Sequence, residues 1–122
     1  MIQVLVADDN PVSRELIREV LDSLDVVILE ASHGQEALDQ IATHKPDLAL
    51  LDIQMPLMDG FTVVRRVRQD PRLAHVRLVA LTAYAMQGDR QRALAAGFDD
   101  YITKPIDGAA LRMQVRALVS PP

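Results

Sequence analysis

The chain contains no cysteine, which excludes disulfides, thiolate metal sites and a cysteine nucleophile. It has no tryptophan, only two tyrosines and two phenylalanines, so a core must be built from Val, Leu, Ile and Ala. No apolar run approaches the ~20 residues that a membrane-spanning helix needs. The opening Met1-Ile2-Gln3-Val4 enters an apolar run with no basic segment before it, unlike a signal peptide. Positive charge is not in excess. Thirteen Lys and Arg stand against seventeen Asp and Glu, a net charge of −4, which argues against a general binder of nucleic-acid backbones. Repeats, low-complexity tracts and internal linkers are also missing. What remains is the expectation of one cytoplasmic domain over residues 1–119, with Ser120-Pro121-Pro122 as a tail.

What is present alternates. Short apolar runs at Ile2–Ala7, Val26–Glu30, Leu48–Leu51, Leu78–Leu81 and Asp100–Thr103 have the length and β-branched content of buried strands. Between them lie segments with helical spacing. Val12–Leu24 puts Leu16, Ile17, Val20, Leu21 and Leu24 on one face, with Arg14, Glu15, Arg18 and Glu19 largely elsewhere. Asn10 and Pro11 read as its cap and first residue. Gln35–Thr43, Phe61–Gln69, Ala85–Ala96 and Ala109–Val119 follow the same logic, and Gly97 marks a helix end. Five strand–helix units predict a parallel sheet covered on both faces. At this length the expected class is α/β, a doubly wound (βα)5 sheet of flavodoxin-like order 2-1-3-4-5.

Such sheets carry their sites beyond the carboxyl ends of the strands, beside the switch between strands one and three. Strand one ends in Asp8-Asp9, strand three in Asp52, strand four in Thr82, and strand five leads into Lys104-Pro105. Three carboxylates gathered there would repel by roughly 4 kcal/mol per pair at ~4 Å and an effective dielectric near 20. Lys104 is one candidate counter-charge, and a hard divalent cation such as Mg²⁺, with Mn²⁺ as a substitute, is another. The Thr82 hydroxyl and the N–H groups after it, together with Lys104 and the metal, would surround a phosphoryl group on Asp52. An Asp carboxylate can accept that group covalently.

Four stretches carry a family resemblance: Val4-Leu5-Val6-Ala7-Asp8-Asp9-Asn10, Leu51-Asp52-Ile53-Gln54-Met55-Pro56-Leu57-Met58-Asp59-Gly60, Leu81-Thr82-Ala83, and Tyr101-Ile102-Thr103-Lys104-Pro105. With them the chain resembles the receiver domains of two-component response regulators along essentially its whole length. The resemblance implies that Asp52 accepts phosphate from a phosphohistidine on a histidine kinase or a phosphotransfer protein. It implies Mg²⁺ ligation by Asp9, Asp52 and the Gln54 carbonyl, with Asp8 acting through a water. It assigns the phosphoryl oxygens to Thr82, Lys104 and the N–H groups of Gln54 and Ala83. Tyr101 becomes a switch coupled to Thr82, the Lys104–Pro105 bond is cis, and Gln54 and Tyr84 tune the phosphate's lifetime. The output surface is helix four, strand five and helix five, facing a downstream protein, in a monomer or a weak phosphorylation-dependent dimer.

Residues 81–89 and 95–101 look like the receivers of hybrid histidine kinases and stand-alone phosphorelay receivers, which leaves open a stand-alone protein or a domain of a hybrid kinase or larger regulator. Catalysis would be limited to gain and loss of the Asp52 phosphate. Rival readings are weaker. A flavin binder would want a hydroxyl- or glycine-rich loop where Asp8-Asp9 stands. A dehalogenase-type phosphatase would want an acid two residues after its nucleophile, where Gln54 cannot titrate. A receiver-like interaction module that works without phosphorylation remains the alternative. Asp59-Gly60 reads as a structural turn, Arg65, Arg66 and Arg68 as a solvated helix face, and His33, His44 and His75 as surface residues.

Overall fold

The computed structural model describes residues 2–83 and 89–119. Its centre is a five-stranded sheet in the order β2-β1-β3-β4-β5, all pairs parallel. The strands are β1 (Ile2–Ala7), β2 (Val26–Ala31), β3 (Leu48–Asp52), β4 (Arg77–Thr82) and β5 (Asp100–Thr103). The helices described are α1 (Pro11–Leu21), α2 (Gly34–His44), α3 (Gly60–Gln69), α4 (Asp89–Ala96) and α5 (Gly108–Val119), with a short 3₁₀ turn at Pro71–Leu73. Residues 85–88 of the fourth expected helix lie outside the described residues.

Every residue of β3 is buried, as expected of a strand covered on both faces. Alternate residues along β1 and β3 feed two separate cores. Val4, Val6, Leu48 and Leu50 meet Ile17, Leu21, Leu111 and Val115 under α1 and α5. Leu5, Ala7, Ala49 and Leu51 meet Ala37, Ile41, Val63 and Val67 under α2 and α3. With both faces apolar, polar function is confined to the strand ends.

Local chemistry fixes the helix starts. Asn10 accepts from Val12 N, with Pro11 at the first helical position. Asp59 accepts from Thr62 N at the start of α3. α1 is shorter than its periodicity predicts. It stops at Leu21, where the Asp22 N–H turns back to Glu19 O, so Leu24 packs from the following turn. Leu16 is 42% exposed, because the buried stripe is Ile17, Val20 and Leu21.

Two expectations need correction. Arg68 is not on a solvated face. All three of its nitrogens donate, to Gly97 O at 2.9 Å, Val76 O at 2.8 Å and Asp99 Oδ2 at 2.8 Å. His33 is half-buried and caps α2, its Nδ1 accepting from Glu36 N.

Candidate acceptor site at the carboxyl ends of the strands

β1 and β3 are neighbours, so their carboxyl ends bring residues 8, 9 and 52 together. Asp8, Asp9 and Asp52 each place a carboxylate oxygen within 4.8 Å of the others. Asp8 is fully buried and Asp52 is 5% exposed, whereas Asp9 is open to solvent. Lys104 reaches in from the far end of β5. Its Nζ donates to Asp8 Oδ2 at 2.6 Å and to Asp52 Oδ2 at 2.9 Å. Lys104 is placed there partly by its own backbone, whose N–H donates to Thr82 O at 2.7 Å. The Lys104–Pro105 peptide is cis.

The remaining lone pairs are shared out locally. Asn10 N donates to Asp8 Oδ1 and Gln54 N to Asp52 Oδ1, each at 2.9 Å. The Asp9 carboxylate has no partner among the described residues. Thr82 ends β4, buried, with Ala83 exposed just after it, and Tyr101 lies half-buried on β5 against the α2–α3 core. Tyr84 lies outside the described residues.

The loop after Asp52 is pinned at both ends by close backbone approach. A Cβ on Gly60 would come within 2.8 Å of Asp52 O and 2.9 Å of Ile53 Cα. A Cβ on Gly34, at the start of α2, would fall 1.8 Å from Met58 O. Neither position has room for a side chain. Between them Met58 N closes onto Pro56 O at 2.8 Å, with Leu57 at φ 70°, a conformation costly for a non-glycine residue.

Electrostatically the site does not close. Burial pushes the Asp52 carboxyl above the ordinary carboxylate range, and nearby Asp8 adds to this against the pull of the Lys104 and Gln54 hydrogen bonds. Burial alone would lower the Lys104 ammonium, but its bonds to Asp8 and Asp52 outweigh that and hold it above its usual value. Lys104 thus bonds two of the three clustered carboxylates and leaves the third without it. An all-oxygen donor set with surplus negative charge and an unpartnered, exposed carboxylate suits Mg²⁺.

Sequence reasoning missed a second cation. Arg14 Nη1 donates to the backbone carbonyl of Asp8 at 2.6 Å. Its spacing put it away from the apolar face of α1, but a long side chain on the first turn can fold back over the strand end.

A family model of the response regulator receiver domain matches residues 4–116. The chain belongs to that family. This receiver domain is 37% identical over 103 residues to the polar-differentiation response regulator DivK of Brucella anthropi, covering 84% of each chain. A Francisella response regulator receiver domain superposes with a TM-score of 0.89 at 29% identity, over 97% of this chain and 96% of that one. The receiver domain of a sensor histidine kinase from Pseudomonas aeruginosa superposes with a TM-score of 0.87 at 33% identity, over 97% of this chain and 98% of that one. That domain has a magnesium ion coordinated in its active-site cleft. Family membership places the chain in two-component signalling. No helix among the described residues is long and apolar enough to cross a membrane.

Proposed function

We propose that this receiver domain is a phosphoacceptor whose acceptor is Asp52, with a phosphohistidine on a histidine kinase or phosphotransfer protein as donor. The supporting observation is the sharing of Lys104 between Asp8 and Asp52, with Asp9 unpartnered beside them. An Asp52 oxygen forms the new P–O bond as the P–N bond of the donor breaks, and the imidazole leaves with the electron pair. Lys104 is already beside the accepting carboxylate and becomes a donor to the phosphoryl oxygens, together with the Thr82 hydroxyl and the N–H groups of Gln54 and Ala83. Asp9, Asp52 and the Gln54 carbonyl would hold Mg²⁺, with Asp8 acting through a water. The ion would supply neutralising charge between the carboxylate and the incoming phosphoryl oxygens.

Signalling then follows from a population shift. Phosphate on Asp52 favours an arrangement in which Thr82 moves toward it and Tyr101 follows, which alters the surface formed by α4, β5 and α5. Couplings of this kind are typically of order 1–3 kcal/mol. A downstream protein reads that surface in the cytoplasm. Gln54 and Tyr84 flank the phosphate and set its lifetime.

Incubation with acetyl phosphate, followed by intact-mass measurement, tests the assignment. The expected result is a gain of one phosphoryl group that needs Mg²⁺ and is absent in Asp52→Asn. A gain that persists in Asp52→Asn moves the acceptor elsewhere. A protein that neither binds Mg²⁺ nor gains mass is an interaction module that works without phosphorylation.

A further inference from the structure

Asp9 is the carboxylate of the cluster without a side-chain partner among the described residues, so no side-chain bond aims it and the backbone sets the direction in which its Cα–Cβ bond leaves the chain. Asp8 lies one residue beyond β1, and its N–H still pairs with Ala31 O of β2 at 3.0 Å. The next peptide unit, Asp8–Asp9, turns the chain into α1. Its carbonyl is the atom that Arg14 holds at 2.6 Å. The guanidinium is itself braced: its Nε donates to Glu30 Oε1 at 3.3 Å, and Glu30 Oε2 accepts from Arg18 at 3.0 Å. Arg14 is only 19% exposed, whereas Arg18 is 54% exposed. An arginine on the first turn of α1 thus bridges the ends of β1 and β2 and fixes the plane of the peptide that delivers Asp9.

We propose that Arg14 is a positioning residue for the cation site, locking the Asp8–Asp9 peptide so that Asp9 meets Asp52, and that Glu30 acts through Arg14. This inference rests on the phosphoacceptor reading. It differs from a plain charge effect in sign. A guanidinium beside an acidic cluster repels a divalent cation, so its removal should tighten Mg²⁺ binding if charge were its whole contribution. If it orients Asp9, its removal should weaken binding, as loss of an outer partner of a metal ligand does.

Calorimetric titration of the full chain with Mg²⁺ separates the two. Arg14→Met should weaken Mg²⁺ about tenfold, within the range for outer-shell partners. Arg14→Lys, which keeps the charge and one donor, should recover part of that. Glu30→Gln should weaken Mg²⁺ severalfold, and the Arg14→Met/Glu30→Gln double variant should be no worse than Arg14→Met, because both act on one contact. Folded Arg14→Met that binds Mg²⁺ as tightly as the unchanged protein, or more tightly, overturns the inference. Should Arg14→Met fail to fold, unaltered Mg²⁺ affinity in both Arg14→Lys and Glu30→Gln overturns it equally. Failure of the underlying reading looks different: the unchanged protein itself then gives no Mg²⁺ binding, and the role of Arg14 falls with it.

Discussion

Two polar networks in this molecule join residues far apart in sequence, and they are built to opposite rules. Around Arg68 the accounts close. Its three nitrogens meet three acceptors, and the Asp99 oxygen that it reaches also takes Leu78 N at 2.8 Å. One cation faces one carboxylate, and α3, the start of β4 and the turn before β5 are tied together. Around Lys104 the hydrogen bonds to Asp8 and Asp52 are met but the charges do not balance. One ammonium faces three carboxylates, one of them without a side-chain partner among the described residues, at the buried end of a parallel sheet. The first network is a strut. The second is the candidate site, because the charge it leaves uncompensated is what a cation and a phosphoryl group can answer.

The contrast can be broken first at the strut. Arg68→Ala leaves the carbonyls of Val76 and Gly97 and half of Asp99's bonding without a donor, and should cost about 3 kcal/mol in urea unfolding. Mg²⁺ affinity should stay unchanged, because Arg68 touches none of Asp8, Asp9 and Asp52. A loss under ~1 kcal/mol would place the network with ordinary surface ion pairs.

The loop after Asp52 offers the next test. Gly34→Ala drives a methyl into Met58 O and should cost about 2 kcal/mol, as overpacking does. Unlike Arg68→Ala it should also slow the phosphoryl uptake proposed for Asp52, because the atom that must move belongs to the loop carrying Gln54. Uptake at an unchanged rate in the folded variant would separate that loop's placement from α2.

The difference between the two networks also marks what the sequence could reveal. Strand order and the gathering of Asp8, Asp9, Asp52 and Lys104 follow from apolar runs ending in charged residues, a pattern visible residue by residue. Arg14 and Arg68 were invisible to that logic. Helical periodicity sorts Cα positions into faces, and a guanidinium can act well away from its own Cα. His33 was hidden because caps are sought among Ser, Thr, Asp and Asn. A signal was available: Glu36 stands three residues after His33, as in a capping box, and its carboxylate takes Ser32 N at 2.7 Å. Leu57 at positive φ carries no sequence mark, since glycine or asparagine usually announces that conformation.

The smallest effect is the sharpest discriminator between strut and site. Burial raises the Asp52 carboxyl above its ordinary 3.8, so between that value and the raised one the folded chain keeps a proton that the unfolded chain has lost. Stability from this group is therefore complete below about pH 3.8 and is lost as pH rises through the folded value. Lys104 is shifted upward, so its contribution is present throughout the acidic and neutral range and is lost only above its usual 10.5. Other carboxylates, common to both proteins, largely cancel in a comparison with Asp52→Asn. That variant should be more stable than the unchanged protein at neutral pH by about 1 kcal/mol, as at other functional sites held in strain. The advantage should shrink as pH falls toward 3.8. Thermal unfolding across that range reads it directly. Saturating Mg²⁺ should narrow the gap from the other side, because binding stabilises the folded state of the protein that keeps the carboxylate. If Asp52→Asn is instead the less stable protein at neutral pH, attraction to Lys104 outweighs burial. The Lys104 network would then be a second strut, and the opposition drawn between it and Arg68 would fail.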